Sequence, residues 1–198
     1  RWIDEDMADN FLNKAKEYIN GNKNNPFFLF YSLQQPHVPR TPNPRFVGKS
    51  GMGPRGDAVI EADWCIGELY RTLEENKLLE NTLIIFSSDN GPVLNDGYFD
   101  NAVEMLGEHT PSGGLRGGKY SLFEAGTRVP FIAYWKDKIK AGVSDQVVSQ
   151  IDLFNTVSKM IDSNFRTKDG KDLSNLILNN TGKGRNDLVI EAMGRTAY

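Results

Sequence analysis

Cysteine is almost missing from this sequence: one residue, Cys65, in 198. That count excludes an internal disulfide framework and a thiolate zinc cluster. Long apolar runs are missing too. None approaches the ~18 residues of a membrane-spanning helix, so no membrane partner is expected. Nor is there an excess of one charge, with 23 basic against 26 acidic residues and a formal net charge of −3. Such a balance argues against nucleic acid as a partner. Internal repeats and low-complexity tracts are absent, which sets aside collagen and coiled coil. What remains is an ordinary globular composition, 39% apolar and 25% charged. A compact chain of this length buries roughly 70% of its unfolded surface, enough for a real core.

Periodicity predicts a helix over residues 6–20, with Phe11, Ala15, Tyr18 and Ile19 on one face. Gly21 and a polar loop through Pro26 end it. The run Phe27-Phe28-Leu29-Phe30-Tyr31-Ser32-Leu33 has no alternation and reads as a strand buried on both faces. Residues 34–54 are irregular, rich in proline and glycine. A second helix is predicted over 57–76, with Val59, Ala62, Ile66, Leu69 and Leu73 forming one apolar stripe. Further strands are expected at 83–86, 129–135 and 188–190, and a helix over 152–162 with Leu153, Val157 and Met160/Ile161 inward. A long polar loop spans 92–119. Strands separated by helices imply an α/β layered fold with a mostly parallel sheet flanked by helices.

Four short motifs carry little. Gly51-Met52-Gly53-Pro54-Arg55-Gly56 spells a dinucleotide fingerprint, but no strand precedes it and a proline occupies the turn. Arg55-Gly56-Asp57 matches an adhesion tripeptide, and Asp57 is better read as a helix N-cap. Asn179-Asn180-Thr181 is a formal glycosylation acceptor. Cys65 sits among apolar neighbours on the second helix, a structural thiol.

Ligands in open α/β sheets collect at the carboxyl ends of the strands. There the sequence places Pro36-His37-Val38-Pro39, then Asp89-Asn90-Gly91, then Gly117-Gly118-Lys119. Asp89 and Asn90 offer adjacent oxygen donors suited to a hard cation, although Ca²⁺ takes six to eight such ligands. The proline-flanked His37 is a stiffly held imidazole, able to donate to an anion or protonate a leaving group. Lys119 could bring a point charge to an anionic substrate. Arg40 and the loop over 95–109, with His109, stand where a substrate rim would be shaped.

Read together, Pro26 to Tyr31, Pro36 to Pro39, Ser88-Asp89-Asn90-Gly91-Pro92 and Gly118 to Pro130 resemble the type I sulfatases of the alkaline-phosphatase-like superfamily. The resemblance extends over nearly the whole chain, including residues 144–161. It implies hydrolysis of sulfate esters, on an aryl compound or a sulfated glycan, with Ca²⁺ (or Mg²⁺) and a formylglycine made from Cys or Ser. It implies Asp89 and Asn90 as metal ligands, and His37 and Lys119 as groups on the sulfate oxygens, one of them protonating the departing alcohol.

The family's Cys/Ser-x-Pro-x-Arg motif and a pair of metal-binding aspartates have no counterpart here, since Cys65 is followed by Ile66-Gly67-Glu68-Leu69. The expectation is therefore that residues 1–198 form the C-terminal portion of a single catalytic domain, incomplete on its N-terminal side and inactive alone. An uncovered sheet edge would then favour homo-oligomers. Kinship implies a periplasmic or extracellular location. Two other readings are a phosphate mono- or diester hydrolase of the same superfamily and a non-catalytic carbohydrate-binding descendant.

Overall fold

The structure, a computed structural model, describes residues 2–198. The chain folds as two compact units, neither of them continuous in sequence. The first is formed by residues up to Leu79 together with Pro92–Gly114, the second by Glu80–Gly91 together with Leu115–Tyr198. No helix among the described residues is long and apolar enough to cross a membrane.

Two helices organise the first unit, α1 (Met7–Asn22) and α2 (Gly53–Glu75). α1 buries Ala8, Leu12, Ala15 and Ile19, a stripe at steps of four, three and four. Phe11 and Tyr18, expected inward, are 45% and 40% exposed. The small side chains at Ala8 and Ala15 let α2 approach, so volume and not hydrophobicity alone selects the buried face. On α2 Leu73 is buried as expected, but nearer the start of the helix the buried face is displaced by one residue, to Ala58, Glu61 and Cys65, while Val59 is exposed. Ala8, Leu12 and Cys65 form the core, with Tyr31, Leu33, Trp64 and Leu69 packed around it. Arg45 closes one side, forking onto the Asp9 carboxylate with its guanidinium 4.3 Å above the Trp64 ring.

α2 starts four residues ahead of the expected N-cap at Asp57, with Pro54 in its first turn. Asp57 is instead a buried anchor inside the helix. Its carboxylate accepts from the amides of Gly48 and Ser50 and from the Ser50 hydroxyl. Burial pushes this carboxyl up, but those donors outweigh it and leave its pKa below the ordinary value. The glycine-rich segment over 51–56 is thus a helix entry and not a phosphate cradle.

The apolar run over 27–33 lies in no hydrogen-bonded ladder among the described residues. Alternate residues are half-buried: Phe28 and Phe30 are 78% and 80% exposed, whereas Phe27, Leu29, Tyr31 and Leu33 are partly covered.

The second unit holds the strands. β1 (Ile84–Ser87) pairs with β2 (Phe131–Tyr134) in antiparallel register, Ile84 opposite Tyr134 and Ser87 opposite Phe131. β3 (Ile190–Ala192) and β4 (Arg195–Ala197) form an antiparallel hairpin across Met193 and Gly194, both at positive φ. The expectation of parallel pairing is corrected for these strands. Short apolar runs report burial but carry no information on direction, and direction is what failed. The α/β composition stands.

Three helices accompany the strands: α3 (Glu124–Thr127), α4 (Asp152–Met160) and α5 (Ser174–Asn179). The fully buried residues of α4 are polar: Asp152, Asn155, Thr156 and Ser158. Leu153, Val157 and Met160 are half-buried, and Ile161 is 69% exposed, against the predicted inward face. Asn155 donates to the carbonyls of Thr167 and Gly170 and accepts from the Thr167 amide. The Thr156 hydroxyl accepts from the Leu173 amide at 3.0 Å. α4 therefore holds the irregular segment 163–173 by hydrogen bonds to its backbone, where unpartnered amides would be costly.

Candidate functional site

Of the five site residues expected from sequence, His37 and Arg40 belong to the first unit, and Asp89, Asn90 and Lys119 to the second.

Asp89 and Asn90 leave the end of β1 in a turn that stitches itself together. Asp89 Oδ1 accepts the Asn90 amide at 2.9 Å, and Asn90 Nδ2 donates to the Gly91 carbonyl at 2.8 Å. The remaining carboxylate oxygen of Asp89 and the amide oxygen of Asn90 are thereby left as the outward acceptors of the turn. Gln150 steadies the approach, its side-chain amide donating to Ser87 Oγ and to the Ser88 carbonyl.

Directly after this turn the chain is pressed against α3. The Gly91 amide donates to the Gly126 carbonyl at 2.9 Å, and a Cβ at Gly91 would lie 1.6 Å from the Ala125 carbonyl oxygen. α3 is crowded at Gly126 as well. A Cβ at Gly126 would lie 2.4 Å from the Ser121 carbonyl oxygen and 2.6 Å from that of Gly118. Gly118 to Ser121 is the turn that presents Lys119, closed by the Ser121 hydroxyl on the Gly118 carbonyl at 2.9 Å. Two glycines thus seat the Asp89-Asn90 turn and the Lys119 turn on one short helix. Lys119 is half-buried, its Nζ 5.0 Å from the centroid of the Tyr120 ring.

In the first unit, His37 is exposed on the irregular segment between α1 and α2. Its Nδ1 lies 2.8 Å from the Val38 carbonyl oxygen. A carbonyl only accepts, so Nδ1 carries the proton of this contact and Nε2 is the nitrogen turned away from Val38. That Nε2 faces the Asp96 carboxylate at 3.8 Å. Asp96 was missed in the sequence reading; its only signal is a place in the polar turn Asn95-Asp96-Gly97.

Arg40, expected at the substrate, is buried. Its Nε donates to the Pro36 carbonyl at 3.0 Å, Nη2 to that of Val93 at 2.9 Å, and Nη1 to that of Leu94 and to Asp100 at 2.8 Å. The guanidinium is spent on tying the His37 segment to the loop over 93–100. Its side chain is 1% exposed, which leaves no face for a substrate. The proline-rich context read as a rim is an interior tie.

As a metal centre, Asp89 and Asn90 have the right donor chemistry in too small a number. They provide two oxygen-bearing groups, and no group of three His, Cys, Asp or Glu among the described residues could hold an ion. They fit a share of a hard-cation shell. Cys65 is fully buried, and burial first of all raises its thiol to about 11, so it remains a protonated core thiol at neutral pH.

The family model described as Sulfatase matches residues 2–163. The chain belongs to the sulfatase family. It is 52% identical over 160 residues to an N-acetylgalactosamine-6-O-sulfatase of Bacteroides thetaiotaomicron, covering 81% of this chain and 31% of that protein. It is 37% identical over 160 residues to human arylsulfatase A, covering 80% and 30%. Among solved structures, one from work on the metabolism of multiple glycosaminoglycans by Bacteroides thetaiotaomicron matches with a TM-score of 0.95 at 45% identity, over 98% of this chain and 42% of that one. The PsFucS1 sulfatase from Pseudoalteromonas sp. matches with a TM-score of 0.80 at 32% identity, over 96% and 38%. The chain spans about a third of the length of these curated relatives.

Proposed function

We propose that this chain is one portion of the catalytic domain of a sulfuric-ester hydrolase, acting on a sulfated glycan. The observation that carries the reading is the seating of the Asp89-Asn90 turn and the Lys119 turn against the same short helix, α3, through Gly91 and Gly126. An oxygen pair and an ammonium group held on one scaffold suit a doubly demanding guest, a small anion accompanied by a cation. The 52% identity to an N-acetylgalactosamine-6-O-sulfatase supports a 6-sulfated amino sugar as the substrate.

In this reading Asp89 and Asn90 hold part of the shell of a Ca²⁺ ion. That ion and a formylglycine from outside this chain supply, when present, charge neutralisation and the nucleophile. The remaining work falls to side chains described above. Lys119 places a fixed positive charge against the sulfate oxygens, where charge gathers as the ester bond breaks. His37, its Nδ1 proton committed to Val38, delivers a proton carried on Nε2 to the departing alcohol oxygen, with the Asp96 carboxylate 3.8 Å from that nitrogen. Residues 1–198 alone, without the nucleophile, turn nothing over.

The test is sulfate release from N-acetylgalactosamine 6-sulfate and from an aryl sulfate by the full-length enzyme and its Lys119→Ala variant. The variant should lose roughly 10²- to 10³-fold in kcat/KM, the cost of removing a fixed transition-state donor. An enzyme that releases no sulfate from either ester, or a Lys119→Ala variant that matches the wild type, overturns the reading.

A further inference from the structure

Glu61 is a buried carboxylate that the proposed chemistry does not use. It lies on the face of α2 turned toward the segment that carries His37, and it is 2% exposed. Burying a carboxylate is expensive unless it is fully hydrogen-bonded, so its partners deserve an account. Oε2 accepts from the Gln35 side-chain amide at 2.8 Å, and Oε1 accepts from the Asn43 backbone amide at 2.9 Å. Gln35 precedes His37 by two residues and Asn43 follows it by six. One carboxylate therefore grips the segment on both sides of the imidazole.

The second grip is Arg40, which ties Pro36 to Val93, Leu94 and Asp100. The two differ in what they connect. Arg40 joins one loop to another, whereas Glu61 joins the His37 segment to a helix packed in the core. Helices are the stiffer support for a group that must be held within about 0.5 Å of its working position. Gln34, Gln35, His37 and Glu61 also line a common cavity of about 20 Å³, so the imidazole and the carboxylate share one packing environment.

We propose that Glu61 is a positioning residue for His37, holding its backbone so that Nε2 meets the departing oxygen of the ester. The inference rests on the role given to His37 above. Glu61 touches neither substrate nor reacting atoms; it acts by fixing both flanks of the segment.

The experiment compares Glu61→Leu and Glu61→Gln in the full-length enzyme, each alone and with His37→Ala. Leucine keeps the volume and removes both acceptors. Glutamine keeps an acceptor for Asn43, and the Gln35 amide can turn its oxygen toward the new donor. Glu61→Leu should lower kcat by on the order of 10- to 100-fold, the scale of a misplaced catalytic group, with KM little changed. Glu61→Gln should stay near wild type. In the His37→Ala background, Glu61→Leu should add nothing. Should Glu61→Leu fail to fold, Gln35→Leu removes one of the two ties and carries the same comparison.

Equal activity of Glu61→Leu and wild type overturns the proposal. So does a loss that simply adds to that of His37→Ala, or a Glu61→Gln enzyme as impaired as Glu61→Leu. A silent His37→Ala overturns it too, by removing the role of His37 itself; that failure is told apart by the single His37 variant, before Glu61 is altered.

Discussion

The Gly91 amide and the Gly126 carbonyl meet at 2.9 Å, and neither residue has room for a side chain. The contact seats the Asp89-Asn90 turn on α3, which at Gly126 also packs against the Lys119 turn. Gly91→Ala would drive a methyl group into the Ala125 carbonyl, which belongs to the backbone and cannot turn aside. The expected outcome is a loss of about 1–3 kcal/mol, the usual cost of overpacking, read as a lower denaturation midpoint. Because the displaced element carries the oxygen pair, sulfate release by the full-length enzyme should, if the proposed role holds, fall further than that loss of stability explains.

Arg40 makes the opposite kind of prediction. A substrate-binding arginine, replaced by lysine, would raise KM and leave folding untouched. A buried one tied to Asp100 and three carbonyls should do the reverse. Arg40→Ala strands a carboxylate that is only 10% exposed, and should cost about 3–5 kcal/mol. Arg40→Lys cannot reproduce the planar fork and should recover part of that. Denaturant unfolding of wild type and the two variants, alongside KM for a sulfate ester measured on the full-length enzyme, separates the two roles.

These cases show what the sequence could and could not disclose. Spacing located α1, α2, α4 and the strands at 84–87 and 131–134, because period and turn residues are local properties. The rotation of each helix was legible only in part: Ala15, Ile19 and Leu73 are buried as read, but Phe11 and Tyr18 yield the buried face to Ala8 and Leu12, a contest decided by the neighbour's volume. Pairing direction was also hidden. Of the site, the Asp89-Asn90 turn and Lys119 stood out by their glycine surroundings, but Gly126, which joins them, is silent without the fold. Arg40 and Glu61 could not be ranked from sequence, since a charge on a rim and a charge inside look alike until burial is known.

Asp152 yields a prediction with a sign. Its side chain is 1% exposed and accepts from the amides of Ser149 and Lys171 and from Arg185, whose Nε donates to Oδ2 at 2.9 Å. Burial alone would push this carboxyl up. The Arg185 guanidinium and the two amides outweigh burial, and its pKa lies below the ordinary aspartate value. In the unfolded chain the group titrates near the ordinary value of about 3.9. The native state therefore holds fewer protons than the unfolded one between the two values, and stability rises with pH across that window. The contribution is complete above the unfolded value and drains away as pH falls through the folded one. Asp152→Asn keeps the shape but ends the charge pairing, so it should be markedly less stable than wild type at pH 7. The gap between the two should stay level down to about pH 5 and narrow steadily as acid protonates Asp152 in the wild type. Urea unfolding at pH 7, 5, 4 and 3 measures that gap, and a gap that widens in acid would show that the buried pair does not stabilise this unit.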